Sequence, residues 1–121
     1  DYLKINSSYV QLTSEYYKKA FSIVSETCGS LPVWVFTDDV DYAKQMLSSF
    51  SDLFYVDGKS TTAAEELKLM SMAKGIVCAN STFSYWASVI SYSASLIVAP
   101  NSWIKAQEQP RDFFPKGWKL I

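Results

Sequence analysis

A short polar stretch follows an apolar run near the middle of the chain and could hold an anionic ligand. Residues 77–86 read VCANSTFSYW, so the pattern of a buried strand ends abruptly in small polar side chains. At a helix start the first backbone N–H groups have no intrahelical partner, and the helix dipole is positive there. The stretch therefore predicts either a simple helix cap or a site where N–H and hydroxyl groups converge on a phosphate. The candidate ligand residues in it are Asn80, Ser81, Thr82 and Ser84.

Acidic side chains follow two other apolar runs. Asp38 and Asp39 come after PVWVFT, and Asp57 closes LFYVD. A carboxylate at a strand end could accept hydrogen bonds from the N–H groups of a guanine or from ribose hydroxyls. Together with the polar stretch, these acids favour a nucleotide or nucleotide-sugar site.

A phospho-acceptor receiver is a second interpretation of the same residues. Asp38 and Asp39 would form its acid pair, Asp57 the acceptor, Ser81 or Thr82 the hydroxyl group and Lys105 the cation. The spacing disfavours it, because positions 39 to 57 leave room for one helix and one strand only. A receiver needs a further strand–helix unit there.

Alternating strand and helix patterns must position these side chains. The β-branched runs predict strands over 32–37, 53–57, 75–79 and 95–100. Helices are predicted to begin at Thr13 or Ser14, at Asp39 or Asp41, and at Thr62, where Glu65 completes a capping box. A further helix lies between the last two strands. We expect a Rossmann-like parallel sheet of about four strands with helices on both faces, with ligands at the carboxyl ends of the strands.

The helical periodicity also predicts which side chains point inward. These are Tyr17, Ala20, Phe21, Val24 and Cys28 in the first helix, Ala43, Met46, Leu47 and Phe50 in the second, Ala63, Leu67 and Met70 in the third, and Phe83, Trp86, Ala87 and Ile90 in the fourth. The tail carries Trp103, Phe113, Phe114 and Trp118 and is expected to be irregular but packed.

Composition excludes several classes of function. The chain has 121 residues, enough for one domain, and a net charge of −1, which gives no reason to expect a nucleic acid partner. It contains no histidine, so His-based triads and most zinc sites are excluded. Cys28 and Cys78 match no metal-binding spacing and are expected to be reduced thiols. No apolar run approaches the roughly 20 residues that span a bilayer.

Five short motifs, in order, give the chain a family resemblance. Four of them resemble the carboxyl-terminal part of the α-1,2-fucosyltransferases of glycosyltransferase family 11: VFTDDV, AEELKLMSMAKG, IVCANSTFSYWAS and LIVAPNSWI. The fifth, DYL…EYYKKA, resembles the segment directly after that family's His-x-Arg-Arg-Gly-Asp motif. Asp1 would be the last residue of that motif, so its His and Arg residues are absent from the chain. Tyr85 stands where the family usually has Trp, and Ala87 where Gly is common.

The resemblance implies an inverting transfer of L-fucose from GDP-fucose to a sugar hydroxyl, without a metal or other cofactor. It implies the nucleotide-binding half of a GT-B-type enzyme, so residues 1–121 would be one nucleotide-sugar-binding domain of a longer protein. Asp38 and Asp39 would shape the donor site, Glu66 would face the guanine, and Ser81 and Thr82, flanked by Asn80, Phe83 and Ser84, would hold the β-phosphate. Each has a structural alternative: Asp39 and Ser81 as helix caps, Glu66 as a solvated charge.

Several features remain open at this point. No residue is identified as the general base, and Arg111 is the only arginine that could replace the family's upstream one. The expected partners are GDP-fucose, a glycan acceptor and the missing amino-terminal domain. The expected location is the cytoplasm of a bacterium, with peripheral attachment to the membrane as one alternative and the Golgi lumen of a eukaryote as another. A non-catalytic Rossmann-like binding module is the alternative function.

Overall fold

Helices and strands alternate along the chain, as the sequence predicts. The computed structural model describes residues 9–105, 109–110 and 112–121. In chain order the elements are α1 (Ser14–Cys28), β1 (Val33–Phe36), α2 (Val40–Met46), β2 (Leu53–Val56), α3 (Ala63–Ser71), β3 (Gly75–Val77), α4 (Thr82–Val89), β4 (Leu96–Ala99) and β5 (Lys119–Leu120). All strand pairs are parallel, which confirms the Rossmann-like α/β class.

The strands form two separate parallel sheets rather than one. β1 pairs with β2, with Val33 opposite Leu53 and Phe36 opposite Val56. The second sheet has the order β3-β4-β5, with Ile76 opposite Ile97. Strand β5 lies in the tail, where the sequence predicts irregular structure. Its two residues are too few to leave a recognisable alternation.

Helices pack on both faces of β3. α1 and the segment after α2 lie together, since the rings of Phe21 and Phe50 are 4.7 Å apart. α3 and α4 pack against each other. α1 runs along β3, with the Tyr16 hydroxyl donating to the Cys78 carbonyl at one end, 2.5 Å away, and the Cys28 thiol near the Lys74 carbonyl at the other. β3 therefore lies between α1, which contacts Gly75, and α3, whose Met70 packs against Ile76. One face of the β1–β2 sheet is exposed at Trp34 and Phe54.

Local sequence signals set the helix boundaries. α2 begins at Asp39, whose carboxylate accepts from the Tyr42 N–H. α3 begins with the predicted capping box between Thr62 and Glu65. α1 ends at Gly29, which has a φ of 78° that few other residues adopt. The predicted cap of α1 is only partly confirmed, because Thr13 is the N-cap residue but its side chain caps no N–H group.

The buried side of α4 differs from the predicted one. Ala87 is fully buried as expected, but Trp86 is 55 % exposed and Ile90 49 % exposed. Ser84 and Ser88 are buried instead, and the Ser88 hydroxyl lies 3.0 Å from the Cys78 thiol. The prediction assigned the inward face by hydrophobicity, whereas the hydroxyls of α4 find partners in the segment directly after β3. Ala63 in α3 is likewise exposed rather than inward.

Aromatic side chains pack the carboxyl-terminal segment onto α4. Trp103 is buried, and its ring lies 5.8 Å from Tyr85 and 5.1 Å from Phe113. The Tyr85 hydroxyl donates to the Phe113 carbonyl at 2.6 Å. The predicted packing of the tail is therefore confirmed for these residues. Arg111 lies outside the described residues.

Candidate functional site

All eight residues predicted to bind a donor line one cleft. It lies between β1 and β3 and has a volume of about 1880 Å³. The loops after β1, β2 and β3 form its polar edge, which we call the rim. The rim comprises Thr37, Asp38, Asp39, Asp57, Gly58, Glu66, Asn80, Ser81, Thr82, Phe83 and Ser84. The fold thus brings together side chains that lie up to 47 positions apart, and the rim is where ligands bind in open parallel sheets.

The acidic part of the rim follows β1 and β2. The Asp39 carboxylate caps α2, and the Asp39 N–H donates to the Thr37 hydroxyl at 3.0 Å. The Asp57 carboxylate accepts from the Lys59 N–H at 3.1 Å, and this hydrogen bond is the main cause that holds the pKa of Asp57 below its usual value. Asp38 is exposed at the mouth of the cleft. Asp39 therefore has a structural role, which leaves its predicted donor contact untested.

Glu66 is held in place over the turn that follows β2. It lies in the first turn of α3, where Thr61 donates its hydroxyl to Glu66 Oε1 at 2.5 Å. The same oxygen lies 3.5 Å from where a side chain at Gly58 would begin, and Gly58 has a φ of 74°. Thr61 and Gly58 were missed as site residues, although the Asp57-Gly58 turn signal marks the loop. Glu66 is thus oriented by its neighbours and is not a freely solvated charge.

Backbone N–H groups face the other part of the rim, at the start of α4. Ser81 is the N-cap, and its hydroxyl accepts from the Phe83 N–H at 3.2 Å. No acceptor within the described residues pairs with the N–H groups of Thr82 and Ser84. Thr82 is exposed, whereas the buried Ser84 hydroxyl donates to the carbonyls of Ala79 and Ser81. The hydrogen-bond donors without a partner among the described residues are therefore two backbone N–H groups at this helix start, beside the exposed Thr82 hydroxyl.

Asn80 ties the rim to the segment that leads into α1. Its Nδ2 donates to the Val10 carbonyl at 2.7 Å, and the Val10 N–H donates to the Trp103 carbonyl at 2.8 Å. The Asn80 Oδ1 atom is buried without a hydrogen-bond partner among the described residues. A diphosphate offers no hydrogen to that acceptor, so this geometry suits a positioning role for Asn80 better than direct phosphate contact.

A buried thiol lies directly below the rim. Burial raises the pKa of Cys78 to about 11, against smaller opposing effects of hydrogen bonds with Ser88 and Ser84. Burial also raises the pKa of Tyr16 far above its usual value. Both groups are therefore neutral at pH 7, and neither is poised to act as a nucleophile or a base. The expectation that both cysteines are unpaired thiols is confirmed.

The charges that line the cleft are mostly negative. Four acidic residues line it, Asp38, Asp39, Asp57 and Glu66, and two cationic ones, Lys18 and Lys74. Within the described ranges, no group of three or more Cys, Asp or Glu side chains could hold a metal ion. The dipole of α4 is thus the main positive feature beside Ser81 and Thr82, and it is where an anion would be stabilised.

Comparisons with known proteins bear on this site. The family model of glycosyl transferase family 11 matches residues 1–121. The chain is 30 % identical over 115 residues to an α-1,2-colitosyltransferase of Escherichia coli, covering 90 % of this chain and 39 % of that protein. It is 26 % identical over 102 residues to the O-antigen biosynthesis glycosyltransferase WbnK of Escherichia coli, covering 83 % of this chain and 34 % of that protein.

The matches cover only a part of each relative. The chain spans less than two fifths of the length of either relative. No solved structure matches it significantly. In the part of the chain that the structure describes, no helix is both long and apolar enough to cross a bilayer.

Proposed function

Since the chain belongs to glycosyltransferase family 11, we propose that its cleft binds the nucleotide part of GDP-fucose. The longer enzyme would transfer L-fucose to a sugar hydroxyl with inversion. Glycosyl transfer itself follows from the family and from the relatives, both of which are glycosyltransferases by name. The receiver-like interpretation finds no support in these matches.

The observation that carries the proposal is the arrangement at the start of α4. The N–H groups of Thr82 and Ser84 lack acceptors among the described residues, the Thr82 hydroxyl is exposed, and both residues line the cleft at the helix start, where the dipole is positive. A diphosphate placed here would accept hydrogen bonds from groups that otherwise have only water. Ser81 would fix the geometry as the N-cap.

The acidic part of the rim would then meet the nucleoside. Glu66 is oriented by Thr61 and lines the same cleft, so its carboxylate is available to the N–H groups of a guanine. Asp38, at the cleft mouth, would accept from sugar hydroxyls. The two ends of the nucleotide would thus lie at opposite sides of the rim, each beside groups of complementary hydrogen-bonding character.

Other parts of the reaction lie beyond these residues. The sugar itself is constrained least, because one relative is named for a colitosyl group. We propose a glycan acceptor, a further domain of the same polypeptide and no requirement for a metal. The proposed location is the cytoplasm. The carboxylates of the rim are accounted for here as donor-site, capping or turn-stabilising groups, so none is assigned as the general base.

Substitution of Ser81 offers a direct test. Ser, Asn and Asp are nearly equivalent N-caps, so Ser81→Asn and Ser81→Asp should both leave α4 folded. The two variants differ in one negative charge next to the proposed diphosphate. Like charges about 4 Å apart repel by roughly 1 kcal/mol in water and about 4 kcal/mol at the dielectric of a protein surface. Ser81→Asp should therefore weaken GDP binding by about fivefold or more relative to Ser81→Asn.

The measurement is isothermal titration with GDP, UDP, ADP and guanosine, together with a thermal melt of each variant. Guanosine lacks phosphates, so its affinity should be the same in both variants. Wild type should prefer GDP over UDP and ADP. Equal GDP affinities for Ser81→Asp and Ser81→Asn would show that α4 does not hold the diphosphate. A fall in GDP affinity that is matched by a fall in melting temperature would also contradict the proposal.

A further inference from the structure

Two sheet edges line the same cleft, and neither pairs with a strand among the described residues. β1 pairs only with β2 and β3 only with β4 among the described strands, and the other edges of β1 and β3 line the cleft. A two-stranded sheet such as β1–β2 is marginally stable by itself, and parallel sheets are normally buried on both faces. Unpaired edges within the middle of a parallel fold call for a strand between them.

The backbone of each edge is oriented to receive such a strand. The Thr37 N–H donates to the Val56 carbonyl, so residues of odd number in β1 point their N–H groups at β2. By alternation, Trp34 and Phe36 point theirs into the cleft. On either side of β3, the Lys74 carbonyl accepts from the Ser95 N–H and the Cys78 N–H donates to the Val98 carbonyl. By the same alternation, the Val77 N–H points into the cleft.

The apolar side chains around the cleft are consistent with an absent neighbour. Large hydrophobic side chains are exposed here: Leu31 is 41 %, Trp34 59 %, Leu69 52 % and Met72 52 % exposed. They come from the start of β1 and from α3. Phe21 and Val24 of α1 line the cleft as well. Apolar groups from helices on both faces point to an occupant that is apolar on both of its faces, as a central parallel strand is.

The chain connectivity fixes which strand would fit. Val10 lies at the carboxyl end of the β3–β4 sheet, bonded to Asn80 and Trp103, and α1 then runs back along β3 to Lys74. α1 is therefore the helix of a crossover whose second strand is β1. α1 and α2 are adjacent, since Phe21 contacts Phe50 just after α2 and both helices line one small cavity, so we place them on one face. Crossovers are right-handed in about 98 % of cases. The strand before α1 must then lie on the side of β1 opposite to β2, which is the cleft.

We propose that the space between β1 and β3 is the slot for one strand, parallel to both, that comes from the polypeptide amino-terminal to α1. The complete sheet would have the order β2-β1-strand-β3-β4-β5. Its strand order would reverse beside the inserted strand, and the carboxyl end of that strand would emerge at the rim between Asp39 and Ser81. This inference rests on the sheet geometry and does not depend on the identity of the donor.

Amide hydrogen exchange tests the proposal residue by residue. Two proteins are compared: the 121-residue chain and the chain extended by the natural sequence that precedes Asp1 in the gene. In the 121-residue chain, the amides of Trp34, Phe36 and Val77 should exchange at least tenfold faster than those of Val35 and Cys78, which point at β2 and β4. In the extended protein the three fast amides should be protected to the same degree as the two controls.

Each other outcome would overturn the inference. If the three amides stay fast in the extended protein, no strand enters the slot. If they are already slow in the 121-residue chain, then residues of this chain or, where the protection depends on concentration, a second copy fills it. A gene that encodes no residues before Asp1 would equally exclude the proposed strand.

Discussion

Replacement of Gly75 by Ala should test how α1 lies on β3. A Cβ atom at position 75 would be 2.8 Å from Val24 Cγ1 and 3.4 Å from the Cys28 thiol. Carbon atoms pack best at about 3.5–4.0 Å, so α1 would have to move away by roughly 0.7 Å or more. Because Tyr16 and Cys28 bind α1 to β3 at both ends, that movement would loosen the whole helix.

The expected free energies come from two opposing effects. Overpacking of this kind costs typically about 1–3 kcal/mol, whereas loss of glycine from a strand gains about 0.5–1 kcal/mol. Gly75→Ala should therefore lower the free energy of unfolding by up to about 2.5 kcal/mol. In a Val24→Ala background the clashing methyl group is gone, so the same change should stabilise by about 0.5–1 kcal/mol. The effect should change sign between the two backgrounds.

Urea unfolding of the four proteins in this double-mutant cycle measures the coupling. Gly29→Ala serves as the control: nothing lies within 4 Å of its added Cβ, and its cost arises from a φ of 78°. That cost should be the same in the wild-type and the Val24→Ala backgrounds. An equal loss of stability from Gly75→Ala in both backgrounds would refute the packing of α1 against β3.

Two further outcomes follow from the site. With a thiol reagent at pH 8, the native protein should label at Cys28 only, because Cys78 is fully buried and its pKa is about 11. Both cysteines should label in urea. Rapid labelling of Cys78 in the native protein would contradict the described burial. The Thr62 N–H lowers the pKa of Glu65 below its usual 4.5, so the capping box adds stability that is present above pH 4.5 and is lost as the pH falls through the lowered value. The stability difference between wild type and Glu65→Ala, from urea unfolding, should therefore shrink below pH 4.5; a constant difference from about pH 7 to about pH 3 would argue against the ionised cap.

Local signals in the sequence predicted the features whose determining contacts are between residues close in the chain. The capping box at Thr62 and Glu65 and the Asp39 cap depend on groups three positions apart, so their residue types predict them. The four predicted strands are short β-branched runs between turn signals, and all were found. Their carboxyl ends also placed the candidate site residues other than Glu66, which came from the family resemblance, and the structure brings all eight to one cleft.

Contacts between distant elements could not be predicted in the same way. The periodicity of α4 predicted Trp86 and Ile90 inside, yet Ser84 and Ser88 are buried because they lie against the Cys78 thiol and the Ala79 carbonyl. A hydroxyl is favoured inside only when a partner is present there, and that partner belongs to another segment.

The sequence by itself determined the kinds of element, their order and the residues at the strand ends. It also carried the resemblance to glycosyltransferase family 11, because motif residues can be compared without coordinates. Only the tertiary structure showed that β1 and β3 do not pair, that Asn80 holds Val10, and that Thr61 orients Glu66. These features depend on which surfaces meet after folding. Residue order specifies such contacts only through the packing of the whole chain.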